Sequence, residues 1–420
     1  MNEAKQKFCL TSLERAWILY DVGNSAFVLL VATLIPIFFN ALAEGGGLSS
    51  VEYLAYWGYA ASAVTVITAV LSPILGTLAD TRNFKKPIFT FCVAVGVIGC
   101  CAMGMASTWL PFLLIFIFAK VGFSGSLVFY DSMLSDVTVP DRMDEVSSKG
   151  YAWGYIGSCV PFVVCLALVL GSSAVGLSQM TALSIALVIT AVWWLVVTLP
   201  LLKKYRQINY VEVEQHAIRQ SFVRIGHTLK HLREDKQVFW FLLAFFCYID
   251  GVYTIIDMAT AYGTALGLET TGLLLALLVT QIVAFPSALI FGRLSAKYPS
   301  SQLIPVCIAA YTGIAVFAFF LTSQWQFWVL AVLVGMFQGG IQALSRSHFA
   351  KIIPPEKSGE YFGLFDICGK GASFLGTMIV SVGSQLTGSA NVGIGMLALL
   401  FAVGFVLFRV SCRTEGAKQV

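Results

Sequence analysis

Ionisable side chains set inside long apolar runs need a reason to be there, because each is costly unless paired, hydrated or functional. Asp21 is followed at i+3 and i+4 by Asn24 and Ser25, which on a helix places a carboxylate and two hydrogen-bonding groups on one face. Lys120 and Asp131 stand three helical turns apart with Ser124 on the same stripe. Asp250 is repeated one heptad on by Asp257, with Tyr253 and Thr254 between them. Gln338, Gln342 and Arg346 follow at i, i+4 and i+8, and Asp366 and Lys370 at i and i+4. Groups of this kind bind and release charged solutes or protons. They do not make a catalytic centre, since no nucleophile–base pair falls at one depth. The ten Cys are scattered and away from the four His, with no metal-ligand spacing, and no GxxxxGK[ST] loop points to ATP. No catalytic residue, metal or cofactor is expected.

The elements that must hold these residues are set by composition. Hydrophobic residues are 58% of the 420 and charged residues only 11%, too few to cover a soluble protein and unlike a disordered or nucleic-acid-binding chain. The apolar runs predict an all-α polytopic membrane protein with twelve transmembrane helices near 14–40, 53–79, 87–107, 110–136, 147–170, 178–202, 237–264, 270–295, 302–322, 325–350, 359–384 and 390–410. Lys and Arg fix the orientation, because the alternate loops hold Arg82, Lys85, Lys86, Arg142, Arg293, Lys297, Lys351 and Lys357, whereas 41–52, 171–177 and 385–389 hold none. Both termini are therefore expected inside. The first apolar run is too long for a signal peptide and carries Asp21, so no cleaved signal is expected.

The longest hydrophilic stretch, 203–236, divides the chain into a six-helix bundle at 1–202 and another at 237–420. Within it Ile218, Phe222, Ile225 and Leu229 recur at helical spacing, so this linker reads as an amphipathic helix on the inner membrane surface or as a plain connection. The halves echo each other: Gly76-Thr-Leu-Ala-Asp80 follows the second span and Gly292-Arg-Leu-Ser-Ala296 the eighth. Two such halves are the parallel-repeat plan of many transporters. Spans 1, 4, 7 and 10 carry Asp21, Lys120, Asp131, Asp250, Asp257 and Arg346, while spans 3, 6, 9 and 12 carry no charge in their interiors.

The segment GTLADTRNFKK at 76–86 resembles the signature loop between helices 2 and 3 of the major facilitator superfamily, with Asn83 where Gly is usual. Asn tolerates the left-handed turn that Gly would supply. WILYDVGNSAF at 17–27 and GGIQALSRSHFAKIIPPEKSGEYFGLFDICGKGASFLG at 339–376 resemble the bacterial branch of that superfamily related to the vacuolar amino-acid effluxers of autophagy. The resemblance implies a secondary transporter whose cavity is lined by spans 1, 4, 7, 10 and 11, with amino acids as the substrate class. Substrate-binding or coupling residues are then expected among Asp21, Asn24, Lys120, Asp131, Asp250, Tyr253, Gln338, Gln342 and Lys370. Gly76, Asp80, Arg82, Arg346 and Asp366 are expected to form a gate or latch, Arg346 with Asp136 or Glu360. Protonation of Asp21, Asp131 or Asp250 would couple transport to a proton gradient. The expected partners are a small-molecule substrate, protons and membrane lipids, with no nucleic acid and a monomeric chain. A translocator of lipids or amphiphiles on the same fold, and a receptor that transports nothing, are the alternatives.

Overall fold

The computed structural model describes residues 9–212 and 235–416; a few helix side chains, Lys370 among them, lie outside the described residues. So does the amphipathic stretch expected at 218–229. The described residues are mostly helical: α1 Ser12–Ala32, α2 Leu34–Gly45, α3 Ser50–Ala79, α4 Lys85–Met103, α5 Trp109–Ser132, α6 Leu134–Val137, α7 Pro140–Leu170 and α8 Gln179–Lys204 precede residue 213. After residue 234 come α9 Lys236–Ala265, α10 Thr270–Leu294, α11 Ser300–Phe319, α12 Gln324–Ile352, α13 Ser358–Thr387, α14 Ala390–Gly395 and α15 Leu397–Gly416. These two sets are called the N-half and the C-half below.

Among the described residues eleven stretches are long and apolar enough to cross a membrane, with α1 and α2 together making one and α14 and α15 another. The remaining long helix, α13, has 30 residues, and at about 1.5 Å per residue it exceeds the roughly 30 Å of a hydrocarbon core. Large apolar side chains such as Phe91, Ile98, Phe118, Val160, Val192 and Val306 stand exposed on the helix exteriors, where a soluble protein would carry charge. Helix starts follow local chemistry. Thr11 and Glu14 form a capping box at α1, and Ser49 and Glu52 form another at α3. Pro140 occupies the first position of α7, where its missing N–H costs nothing. Thr33 interrupts the first span, and its hydroxyl turns back to the Leu29 carbonyl at 2.6 Å.

The turns that carry Arg82, Lys85, Arg142, Arg293 and Lys357 lie at one end of the bundle, the basic end. There Asn83 takes a left-handed backbone, φ 65°, so that the α3–α4 turn can close. At Gly76 on α3 a Cβ would collide with the Gly359 carbonyl of α13, and at Gly292 on α10 it would meet the Ser148 side chain of α7. Small residues thus let the halves approach along two seams, α3 on α13 and α7 on α10 and α12.

Candidate functional site

Arg346 is the centre of the site. Its place on α12 follows from the Gln338–Gln342–Arg346 stripe, which turns inward as the helix runs to the basic end. The side chain is buried, and its Nη1 donates to Asp131 Oδ1 of α5 at 3.0 Å. Asp21 Oδ2 of α1 lies 3.4 Å from Nη2. Nε donates to the Ser147 hydroxyl at 2.9 Å, and Nη2 to the Ser147 carbonyl at 3.0 Å. The rings of Trp17 and Tyr151 stand 4.6 and 4.3 Å from its Cζ. Asp21 also accepts from the Tyr130 hydroxyl at 2.9 Å. Gly150 leaves the room for this packing, since a Cβ there would fall 2.7 Å from Asp21 Oδ2 and 3.1 Å from Arg346 Nη2. One guanidinium of the C-half is therefore held by two carboxylates and a serine of the N-half. Removing it would leave buried charge without a partner.

Above this cluster the cross-half contacts become polar and neutral. Tyr155 of α7 donates to Gln342 Oε1 at 2.9 Å. Gln338 is buried one turn further from the basic end, and half-buried Tyr253 of α9 lies within electrostatic reach of Asp131 and Asp366. Towards the far end Lys120 of α5 holds its Nζ 4.8 Å from the Phe123 ring. It lies in electrostatic reach of Asp257, which is exposed.

Below the cluster the basic end is latched. Asp80 Oδ1 and Oδ2 accept from the backbone N–H groups of Gly359 and Glu360 at 2.7 and 2.8 Å, so an N-half carboxylate caps the first turn of α13. Lys85, fully buried, lies 3.7 Å from Asp80 Oδ1 and 3.6 Å from Asp136 Oδ2, and donates to the Ser358 hydroxyl at 2.8 Å. On the other seam Asp144 of α7 accepts from Lys351 at 2.7 Å and from Ser347 at 2.6 Å, both on α12. Ser72 donates to Asp366 Oδ2 at 2.8 Å.

Several placements differ from the sequence expectation. Arg346 engages Asp21 and Asp131 in place of Asp136 or Glu360. Arg82 is exposed and pairs with Glu212 at 3.0 Å; the cation of the latch is Lys85. Asp250 is buried within its own half, where its Oδ1 accepts from the Gly376 N–H at 2.9 Å and the Thr254 hydroxyl at 3.3 Å. Asn24 turns back on α1, donating to the Tyr20 carbonyl at 3.0 Å. The expected partnership of Lys370 with Asp366 or Asp250 lies outside the described residues. Reading the sequence missed Lys85, Asp144, Ser147, Tyr155 and Lys351. Lys85 and Lys351 look like ordinary inner-loop charges, and Asp144 falls in an assumed loop, although Pro140 followed by Asp141 is a legible helix start.

An apolar groove of about 710 Å³ runs between α4, α7 and α8, lined by Cys101, Val160, Val164, Ile185, Val192 and Trp193 among others. It lies wholly within the N-half and shares no residue with the Arg346 cluster.

An all-helical bundle of apolar spans in two sets, meeting over a charged cluster and latched at one end by an acid that follows the second span, is a transporter of the major facilitator superfamily. Solved structures share the fold: the fucose transporter FucP in its outward conformation, at TM-score 0.71 and 16% identity over 95% of this chain and 97% of that one. The human organic anion transporter MFSD10 follows at TM-score 0.70 and 14% identity over 94% and 98%. The family described as "Vacuole effluxer Atg22 like" matches residues 12–141 and 135–420, and the chain belongs to it. An uncharacterized MFS-type transporter of Bacillus subtilis (strain 168), YxiO, is 42% identical over 402 residues, covering 94% of both chains. Autophagy-related protein 22 of Saccharomyces cerevisiae (strain ATCC 204508 / S288c) is 28% identical over 283 residues, which is 58% of this chain and 53% of that one. The chain is thus an integral protein of the bacterial inner membrane.

Proposed function

We propose that this transporter carries a small polar solute with a carboxylate, amino-acid-like in character, by alternating access between two six-helix halves, with α13 as the twelfth span. The observation that carries the reading is Arg346, a buried cation contributed by one half and held only through side chains and a carbonyl of the other. Such a group joins the halves and, once they part, is left as a buried anchor for an anion. The Lys and Arg bias makes the basic end cytoplasmic, so the latched arrangement corresponds to the outward-facing state. A solute entering from outside would meet Lys120 and Asp257 first, then Tyr253, Gln338 and Gln342. Asp21 and Asp131 compete for one guanidinium. A proton on either weakens the hold on Arg346, which is a route for coupling to a proton gradient.

The test is uptake and counterflow in proteoliposomes, with and without an imposed pH gradient, for amino acids, dipeptides and organic anions. Saturable counterflow of a carboxylate-bearing solute that Arg346→Lys slows at least tenfold is the expected result. Movement of lysolipids alone, indifferent to Arg346, would replace this reading with the amphiphile translocator.

A further inference from the structure

The residues that follow α8 do more than lead away from the bundle. Tyr205 leaves the helix with an extended backbone and is buried, and its hydroxyl donates to Asp136 Oδ2 at 2.5 Å. The other oxygen, Oδ1, accepts from the Asn209 N–H at 2.8 Å, the Asn209 side-chain amide at 2.9 Å and the Ile208 N–H at 3.3 Å. Further bonds fasten the same strip to the α3–α4 turn: Gln207 Nε2 to the Ala79 carbonyl at 3.0 Å, Val211 N–H to the Asp80 carbonyl at 2.8 Å, and Lys85 N–H to Gln207 Oε1 at 3.4 Å. Residues 205–211 thus clasp the turn on one side and Asp136 on the other. Asp136 is one of two carboxylates beside the buried Lys85 Nζ, the other being Asp80. Lys85 in turn reaches across the seam to Ser358, and Asp80 to the amides of Gly359 and Glu360.

We infer that Tyr205 and Asn209 are positioning residues of the inner gate, fixing Asp136 and through it the Lys85 ammonium that joins the two halves. The proposal rests on the alternating-access reading above. Four donors converge on Asp136 and orient both of its oxygens in a buried site. Burial and the facing Asp136 carboxylate push the Tyr205 phenol well above its usual range, so the phenol remains the donor. Without these donors Asp136 must find others, and the ammonium that it helps to hold loses a fixed counter-charge. The opening stretch of the linker then acts as part of the latch in the state where the basic end is shut. It has that part to lose when the halves rock.

Hydrogen exchange of the whole protein in lipid nanodiscs separates this role from simple anchoring, because the predicted effect appears in the other half. Tyr205→Phe and Asn209→Ala should speed exchange of the 358–362 amides about tenfold, equivalent to about 1.4 kcal/mol of opening, and Lys85→Ala should do so at least as much. Arg82→Ala, which breaks an exposed pair on the same strip, should leave those amides unchanged. Tyr205→Phe removes only one hydroxyl, so a variant that melts near the parent temperature is available even if Asn209→Ala does not fold. Faster exchange confined to 205–212 would overturn the positioning role while leaving the latch intact. No change at 358–362 even in Lys85→Ala would overturn the latch reading, and the positioning role with it.

Discussion

The two seams at the basic end solve one problem with different chemistry. On the α3–α13 seam backbone meets backbone at the basic end, and the Ser72–Asp366 side-chain bond lies deeper. Gly76 abuts Gly359, and Asp80 caps the amides beside it with no side chain of α13 in between. On the seam of α7 with α10 and α12 the equivalent glycine, Gly292, has the Ser148 side chain and the Glu145 Cα nearest to it, and Ala296 stands where the acid would be. That seam is held by side chains, Asp144 with Lys351 and, deeper, Ser147, Asp21 and Asp131 with Arg346. The repeat has kept the close approach and moved the charge. A backbone cap fixes one geometry, whereas side-chain pairs can lengthen and exchange partners. The first seam is built as a stop and the second as a site.

Six substitutions bear on that contrast. Arg346→Ala should cost the most, ~3–5 kcal/mol, because it strands Asp21 and Asp131 in a buried place; chemical or thermal unfolding in a mild detergent reads it. An Arg346→Ala protein as stable as the parent would mean the cluster is hydrated and does not join the halves. Asp80→Asn comes next at about 1.5–3 kcal/mol, since it weakens two charge-assisted bonds to amides and removes a counter-charge of Lys85. Cross-linking between the halves at the basic end should fall in step.

The glycines follow. Gly76→Ala should cost ~1–3 kcal/mol and hold the α3–α13 seam apart, while Gly292→Ala, facing a serine side chain that can move, should stay under about 1 kcal/mol. Equal melting shifts for the two would erase the distinction between the seams. Smallest are the partly exposed pairs. Lys351→Ala is expected to cost about 1 kcal/mol or less, and Arg82→Ala close to nothing, because solvent screens an ion pair whose side chains are 57% and 64% exposed. If Arg82→Ala matched Asp80→Asn in unfolding measurements, the basic member of the latch would be Arg82 after all.

The spans were legible because a bilayer demands apolar length and little else. Most observed helices begin and end within a few residues of the apolar runs; α7 starts at Pro140 and not near 147, and α15 runs on to Gly416 and not 410. The stripe leading to Arg346 was legible for the same reason, since periodicity fixes which residues share a face of one helix. Its partners were not. Spacing within a helix says nothing about which carboxylate on another helix lies opposite, so Asp136 was paired with Arg346 although it serves Lys85. Asp250 shows a related limit: depth along a helix does not reveal that its Oδ1 accepts from a backbone N–H of α13 inside its own half. The latch cation was missed because Lys85 is one of three basic residues in a short turn, and spacing does not say which of them is buried.

The stacking around Arg346 has an optical consequence. Trp17 lies with its indole 4.3 Å from the Tyr130 ring and nearly parallel to it, and its Nε1 donates to the Tyr130 carbonyl, so ring and partner both belong to the N-half and travel together. The guanidinium that stacks on the same indole belongs to the C-half. Separation of the halves at the basic end would strip the cation from an otherwise unchanged chromophore. Trp17 is thus a built-in reporter: its emission and near-ultraviolet ellipticity, isolated by comparison with Trp17→Phe, should register the transport cycle without a label.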